Sequence, residues 1–137
     1  MSGDREAIVH ALCDVATALD TRDWAALGAA FTPDAHGYGA DGPDAIVAQV
    51  RRHLGGCGPS QHLLGNHRVH VDGDTARSFT YGRVMHVGAG PAEGLTYECF
   101  GEYEDHWART GDGWRITYRR FRVTIELGDR GVLRPDR

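Results

Sequence analysis

The second half of the chain constrains the fold most, because it divides into four long segments of strand composition joined by turn sequences. The joining sequences are "DGD", "GAGPAEG" and "TGDG", which are typical of hairpin turns between antiparallel strands. Long strands connected in this way predict one antiparallel sheet. The predicted strands cover about Ser60–Val71, Thr75–Val87, Leu95–Arg109 and Gly113–Leu127.

Three helices are predicted before these strands, from apolar residues that recur at helical spacing. The third helix begins near Pro43, a residue suited to a first helical turn, and closes at Gly55-Gly56. A short strand around His36–Gly39 is expected before it. The apolar residues that mark the first and third helices are Ile8, Leu12, Val15, Leu19, Ile46, Val47, Val50 and Leu54.

The second helix is expected after "LDTRDW", where Asp23 resembles an N-cap. Its apolar face carries Trp24, Leu27 and Phe31, and "TPDA" ends it because Pro33 disfavours helical geometry in the residue before it. Helices that precede an antiparallel sheet are typical of an α+β fold. We therefore expect three N-terminal helices packed on a strongly curved, mainly antiparallel sheet.

The alternation of side chains indicates where this sheet leaves room for a ligand. On Thr75–Val87, one face consists mostly of small residues and ends in a histidine, which suits the wall of a cavity. The last strand changes phase, so we expect a bulge near Arg119 where the sheet bends around a pocket. The small face holds Ala76, Ser78, Thr80, Gly82, Val84 and His86, and the inward face of the next strand holds Leu95, Tyr97, Cys99, Gly101, Tyr103 and Trp107.

Composition excludes several classes of function. The 137 residues suit a single domain, 1–137, and no apolar run reaches the roughly 20 residues of a membrane span. All fifteen basic residues are arginine, which excludes Schiff-base, pyridoxal-phosphate and Walker-type phosphate chemistry, since each requires lysine. A net charge of −4 without a basic block makes nucleic acid an unsuitable partner. Three distant cysteines without a CxxC motif indicate reduced thiols, so we expect a cytoplasmic protein without a structural zinc site.

The C-terminal sequence "GDRGVLRPDR" is expected to be frayed.

Four short motifs, in this order and spacing, resemble a known family. They are "LDTRDWAAL", "SQHLLGNHRV", "RVMH" and "RTGDGWRI". The chain resembles the SnoaL-like, scytalone dehydratase-like branch of the nuclear transport factor 2-like superfamily, from about Asp4 to Ile125. The resemblance implies a cone-shaped α+β barrel.

The resemblance also implies an active site. Asp20 and His62 correspond to an Asp–His dyad, and His86 to a further histidine of the dehydratase. Tyr38 lies one residue from the position of a tyrosine that activates substrate, whereas a second tyrosine of the family is replaced by Leu19. The residues alone favour a helix-end carboxylate for Asp20 and cavity wall for Tyr38 and Tyr103. His86 could equally be a surface residue.

The histidines of the predicted strand Ser60–Val71 do not form a metal site in this interpretation. Alternation places His62 and His70 on one face and His67 on the other, and eight residues of strand span about 26 Å. A bulge at Gly65 would change the facing beyond it. We therefore expect one catalytic histidine, His62, and two surface histidines.

These observations predict a lyase or cyclase of the dehydratase type, acting on a polyketide-, aromatic- or steroid-like small molecule with no metal and no organic cofactor. The alternatives are a ketosteroid-type isomerase and a non-catalytic ligand-binding or assembly subunit. A homo-oligomer, dimer or trimer, is expected. The predicted catalytic residues are Asp20, His62, His86 and Tyr38, and the predicted substrate-binding residues are Trp24, Phe31, Leu64, Cys99, Tyr103, Arg119 and Phe121.

Overall fold

The computed structural model describes residues 3–133, which form three helices and one six-stranded sheet. The strand order is β2-β1-β6-β5-β4-β3, and all neighbours are antiparallel except β1 and β6. The predicted α+β class with a cone-like sheet is confirmed, although the sheet remains open. The elements are α1 Asp4–Thr21, α2 Trp24–Ala29, β1 Phe31–Gly37, β2 Ala40–Asp41, α3 Pro43–Leu54, β3 Ser60–Asp72, β4 Thr75–Val87, β5 Thr96–Thr110, β6 Gly113–Gly128, and 3₁₀ turns at Gly90–Ala92 and Arg130–Leu133.

The four long strands, β3 to β6, follow the sequence prediction closely, because period-two alternation and turn composition are local signals. Leu95 differs: it lies before β5 and is exposed. The bulge expected near Arg119 lies two residues earlier, at Thr117, which has no partner on β5, and a second bulge lies at Thr124. Both bulges bend β6, so the sheet curves around its concave face.

The second helix and the strand after it differ from the prediction. Asp23 is the N-cap, with its side chain accepting from the Ala26 amide at 3.1 Å, but α2 ends at Ala29. Phe31 is therefore the first residue of β1 and pairs with Ile116 of β6. Pairing with the sheet thus begins two residues before Pro33. Pro33 is tolerated in β1 because the pairing register with β6 is irregular between Phe31 and His36.

The helices bury their apolar faces against the concave side of the sheet. Trp107 and Ile116 lie at the centre of this core, and the Trp107 indole donates to the Ser78 hydroxyl at 2.9 Å. The face of small residues predicted for β4 is buried at every second position, as expected. No helix within residues 3–133 has the length and apolar character needed to cross a membrane.

The C-terminal segment is not frayed where the structure describes it. The turn Arg130–Leu133 inserts Val132, which is 2% exposed, against Val84, Tyr97 and Cys99. Burial of this valine holds the segment on the sheet. The last four residues of the predicted frayed tail, 134–137, lie outside the described residues.

At Gly101 of β5, the backbone of β6 and the Phe121 ring leave no room for a side chain. A Cβ atom here would meet the backbone oxygen of Arg122, and the Phe121 ring at 2.8 Å. Because a backbone atom cannot rotate away, we expect Gly101→Ala to lower the free energy of unfolding by about 1–3 kcal/mol. The measurement is urea denaturation.

The matched control is Gly111→Ala, since a Cβ at Gly111 meets nothing within 4 Å. Its effect should stay within about 0.5 kcal/mol. Equal stability of the two variants would contradict the close packing at Gly101.

Candidate active site

Asp20, at the end of α1, and His62, near the start of β3, meet over the edge of the sheet. His62 Nδ1 lies 2.6 Å from Asp20 Oδ1, and the His62 amide donates to Asp20 Oδ2 at 2.8 Å. The amide is available because β3 is an edge strand, with no neighbouring strand on this side among residues 3–133. The His62 side chain is 6% exposed and the Asp20 side chain 21%, so both contacts are largely shielded from water.

The carboxylate of Asp20 is held in its charged form. Burial raises the pKa of Asp20, but hydrogen bonds from the His62 ring and amide and from Ser60 lower it by more than burial raises it. The pKa of Asp20 therefore lies below its usual 3.8. A carboxylate only accepts hydrogen bonds, so the proton of neutral His62 is on Nδ1. The unprotonated Nε2 is then the base of a ring that lines the cavity.

His86 lies on the same wall, with its ring centre 6.3 Å from that of His62. Its Nδ1 is 2.9 Å from the Tyr97 carbonyl oxygen, which can only accept, so Nδ1 carries the proton. The side chain is buried, and burial lowers its pKa, although the Tyr97 hydrogen bond opposes this. His86 is therefore neutral near pH 7, and its Nε2 is a hydrogen-bond acceptor.

A buried ion pair lies behind the aromatic wall of the cavity. Arg119 Nε and Nη2 donate to the carboxylate of Asp105 at 2.8 and 3.3 Å, and both residues are at most 2% exposed. Arg119 Nη1 donates to the Tyr38 hydroxyl oxygen at 3.2 Å, and the guanidinium lies 4.1 Å from the centre of the Tyr103 ring. Tyr38 has a φ of +52°, a left-handed conformation that is rare for a bulky residue.

The cavity of about 530 Å³ lies between α3, the end of α1 and the concave face of the sheet. Its volume suits a small organic molecule. Among the predicted binding residues, Cys99, Tyr103 and Phe121 line it, as do the predicted catalytic residues Tyr38, His62 and His86.

Four predicted binding residues lie elsewhere. Arg119 is enclosed behind Tyr38 and Tyr103, and Leu64 packs against the apolar core. Trp24 and Phe31 border a separate open groove between α2, α3 and β1, because α2 ends before Phe31. The structure therefore does not bring these two aromatic residues to the predicted site.

Sequence reasoning missed several residues around the cavity. Gln49 and His53 of α3 line it, and Ser60 contacts Asp20. Tyr97, which the alternation placed on the inward face of its strand, also lines the cavity. Asp105 stands at an inward position of β5, between Tyr103 and Trp107, so the alternation could have identified it.

The facing predicted for the other histidines of β3 was wrong. The register shifts between Gly65 and Arg68, with Asn66 at a φ of +50°, so the phase reverses after Gly65. His67 therefore faces inward, 3.2 Å from the Thr80 hydroxyl, while His70 is exposed. In the described part of the chain, no three histidine, cysteine or acidic side chains are placed to hold a metal ion.

Comparison with known proteins gives a consistent family. Residues 1–120 match a SnoaL-like domain. The chain is 38% identical over 122 residues to the uncharacterized protein Rv2910c of Mycobacterium tuberculosis, and the match covers 85% of this chain and 82% of the relative. The resemblance predicted from the motifs is thereby confirmed.

Two similar solved structures come from Novosphingobium aromaticivorans. One, provisionally named an aromatic ring hydroxylase, superimposes with a TM-score of 0.87 at 26% identity and covers 98% of this chain and 99% of that one. The other, provisionally named a scytalone dehydratase, has a TM-score of 0.80 at 22% identity and covers 89% and 85%. The second likeness supports the fold alone.

Removing the charge of Asp105 tests the buried ion pair. We expect Asp105→Asn to lower the free energy of unfolding by about 3–5 kcal/mol, because Arg119 is left buried without a counter-charge. Asp112→Asn, which breaks an exposed pair with Arg115, should cost less than about 1 kcal/mol. Urea denaturation of both variants measures the difference, and similar costs would contradict the assigned burial.

The lowered pKa of Asp20 predicts a pH dependence of stability. A carboxylate with a folded pKa below its unfolded value of about 3.9 stabilises the protein above that pH, and the contribution disappears as the pH falls through the folded pKa. The gap in unfolding free energy between the wild type and Asp20→Asn should therefore be largest near neutral pH and shrink below about pH 4. Denaturation at several pH values measures this gap.

Asp14→Asn is the control on the same helix, because the Asp14 side chain is 72% exposed. Its gap from the wild type should stay small at every pH. A gap for Asp20→Asn that grows towards low pH would contradict the assigned hydrogen bonds.

Proposed function

The chain belongs to the SnoaL-like domain family, and from this premise we propose that it is a lyase of the dehydratase or cyclase type that needs no metal or organic cofactor. The observation that carries the proposal is the Asp20–His62 contact at 2.6 Å beside a cavity of about 530 Å³. An ionised carboxylate on Nδ1 leaves Nε2 as a base and stabilises the imidazolium that forms when it takes a proton. The name of the similar scytalone dehydratase-like structure agrees with this chemistry.

In the proposed reaction, His62 Nε2 removes a proton from the carbon next to a substrate carbonyl, and the electron pair moves onto the carbonyl oxygen as an enolate. For a dehydration, the bond between the β-carbon and its hydroxyl oxygen then breaks and a carbon–carbon double bond forms. The hydroxyl leaves as water with the proton that His62 had taken. For a cyclisation, the enolate carbon instead attacks a second carbonyl of the same molecule. A carbon–carbon bond forms, the π bond of that carbonyl breaks, and its oxygen takes the proton that His62 had removed, which leaves a hydroxyl group.

Tyr38 has a hydrogen-bond donor left for a substrate, whereas His86 has an acceptor left. The Tyr38 oxygen accepts from Arg119, so its own O–H is free to donate to the enolate oxygen. The free Nε2 of neutral His86 accepts, so it suits a substrate hydroxyl. We therefore assign Tyr38 as the donor that stabilises the enolate and His86 as the acceptor that orients the hydroxyl.

The lining of the cavity supports a flat, partly aromatic or polycyclic β-hydroxy ketone as substrate. Tyr103 and Phe121 stack with ring centres 4.2 Å apart, and Tyr97 adds a third aromatic wall. Such surfaces favour ring systems of similar size. A medium-sized ketone of this type also meets the donor at Tyr38 and the acceptor at His86.

The two alternatives fit less well. A ketosteroid-type isomerase would need a carboxylate base that faces the cavity, but Asp20 is bound by His62 and Asp105 by Arg119. A non-catalytic subunit would not need an open cavity with a buried Asp–His pair, because burying charged groups is costly. The lyase proposal accounts for both features.

Hydrogen–deuterium exchange of aromatic ketones tests the proposed base directly. Ketones selected by thermal shift would be incubated with the protein in D₂O, and deuterium at the carbon next to the carbonyl would be measured by NMR. We expect the wild type to catalyse exchange and His62→Gln to reduce it by at least about 100-fold, because a general base contributes this much or more.

His70→Gln, on the same strand but exposed, is the matched control and should retain wild-type exchange. Thermal denaturation should show that both variants remain folded. Full exchange activity in His62→Gln would remove the proposed mechanism.

A further inference from the structure

We propose that Ser60 and Arg22 are positioning residues that hold the Asp20 carboxylate in place and thereby set the tautomer and basicity of His62. This inference rests on the proposed function of the Asp20–His62 pair. The Ser60 hydroxyl donates to Asp20 Oδ1 at 2.9 Å, and Arg22 Nη1 donates to the same hydroxyl at 2.8 Å. A continuous chain of hydrogen bonds therefore runs from Arg22 to the candidate base.

The direction of each hydrogen bond in this chain is fixed by chemistry. A guanidinium has only donors, so the Ser60 oxygen accepts from Arg22. The single hydroxyl proton of Ser60 is then directed at Asp20. Asp20 thus receives three hydrogen bonds, from the Ser60 hydroxyl, the His62 amide and the His62 ring. With its acceptor sites occupied in this way, the carboxylate cannot rotate without losing contacts.

Arg22 is itself held by three segments of the chain. Its guanidinium donates to the carbonyl oxygens of Leu19 at 2.7 Å, Gly58 at 2.7 Å and Leu54 at 3.2 Å. Leu19 and Leu54 lie at the C-terminal ends of α1 and α3, where carbonyl groups carry partial negative charge. Within residues 3–133, no carboxylate oxygen forms an ion pair with Arg22 at 4.0 Å or less. Its partners are these carbonyls, the Asp20 backbone carbonyl at 3.4 Å and the Ser60 hydroxyl.

The backbone at Arg22 agrees with a specific requirement for its side chain. Arg22 has a φ of +57° at the end of α1, a position where glycine is usual because a Cβ atom is disfavoured there. A bulky residue in this conformation costs free energy, which the five side-chain hydrogen bonds offset. The contacts therefore explain why arginine occupies a position suited to glycine.

Ser60 and His62 share one carboxylate oxygen, so the loss of one hydrogen bond changes the other. Without the Ser60 proton, the negative charge on Oδ1 is less stabilised, and its attraction for a protonated His62 ring increases. Among the described residues, the other histidines that line the cavity are His86 of β4 and His53 of α3, and both are unchanged in the variants below.

Histidine-selective ¹⁵N NMR of the full chain tests this inference without any substrate. In the wild type we expect His62 to carry its proton on Nδ1. In Ser60→Ala the titration midpoint of His62 should rise by roughly half a pH unit or more. Ser60→Thr keeps the hydroxyl and should titrate as the wild type. Arg22→Lys keeps the charge but not the planar fork, so it should shift His62 in the same direction as Ser60→Ala.

Ser78→Ala is the matched control, because Ser78 is a buried serine that accepts from Trp107 and not from the Asp20 network. It should lower stability without moving the His62 midpoint. If Ser60→Ala does not fold, Ser60→Cys, which replaces the hydroxyl with a weak thiol donor, should show the same shift. An unchanged midpoint in the folded Ser60 variant, or an equal shift in Ser78→Ala, would overturn the inference.

The outcome is independent of the test for catalysis. A shifted His62 midpoint in a protein that exchanges no ketone proton would contradict only the proposed function. Wild-type exchange of ketone protons together with an unchanged midpoint would contradict only the positioning role.

Discussion

The carboxylate of Asp20 accepts a hydrogen bond from the backbone amide of His62 on the edge strand of the sheet, and the candidate active site depends on that contact. In the part of the chain that the structure describes, β3 has no second strand beside it at His62, so a buried amide there would lack a partner and cost free energy. Asp20 supplies the partner from the end of α1. The contact therefore links the end of α1 to the sheet beside the cavity and forms the Asp20–His62 pair at the same time.

The carboxylates of Asp20 and Asp105 have different partners and are therefore suited to different roles. Asp20 contacts an imidazole, a group that can gain or lose a proton, whereas Asp105 contacts a guanidinium, which keeps its charge. The first arrangement is suited to moving a proton and the second to holding a hydroxyl group in one orientation. The bulge at Thr117 makes the second arrangement possible, since it turns Arg119 inward.

The strands and their inner faces were predictable because alternation and turn composition act over a few residues. The prediction failed where one residue changed the phase, as at Asn66, which turned His67 inward. Asp105 was left out of the predicted inward face, although the alternation of β5 places it there and it is buried. Ser60 and Arg22 could not be found by spacing, because their hydrogen bonds join segments distant in sequence, and the pairing of Asp20 with His62 was expected only from the family resemblance.

The turn that carries Tyr38 has a consequence for attempts to improve this protein. Tyr38 and Gly39 both have positive φ, at +52° and +75°, a pair of conformations that suits asparagine and glycine. Directed evolution for heat resistance alone would favour replacement of the tyrosine, since a left-handed bulky residue costs about 1–3 kcal/mol. Libraries sorted only by survival at high temperature would therefore enrich replacements of Tyr38, and with them the loss of the hydroxyl group that accepts from Arg119.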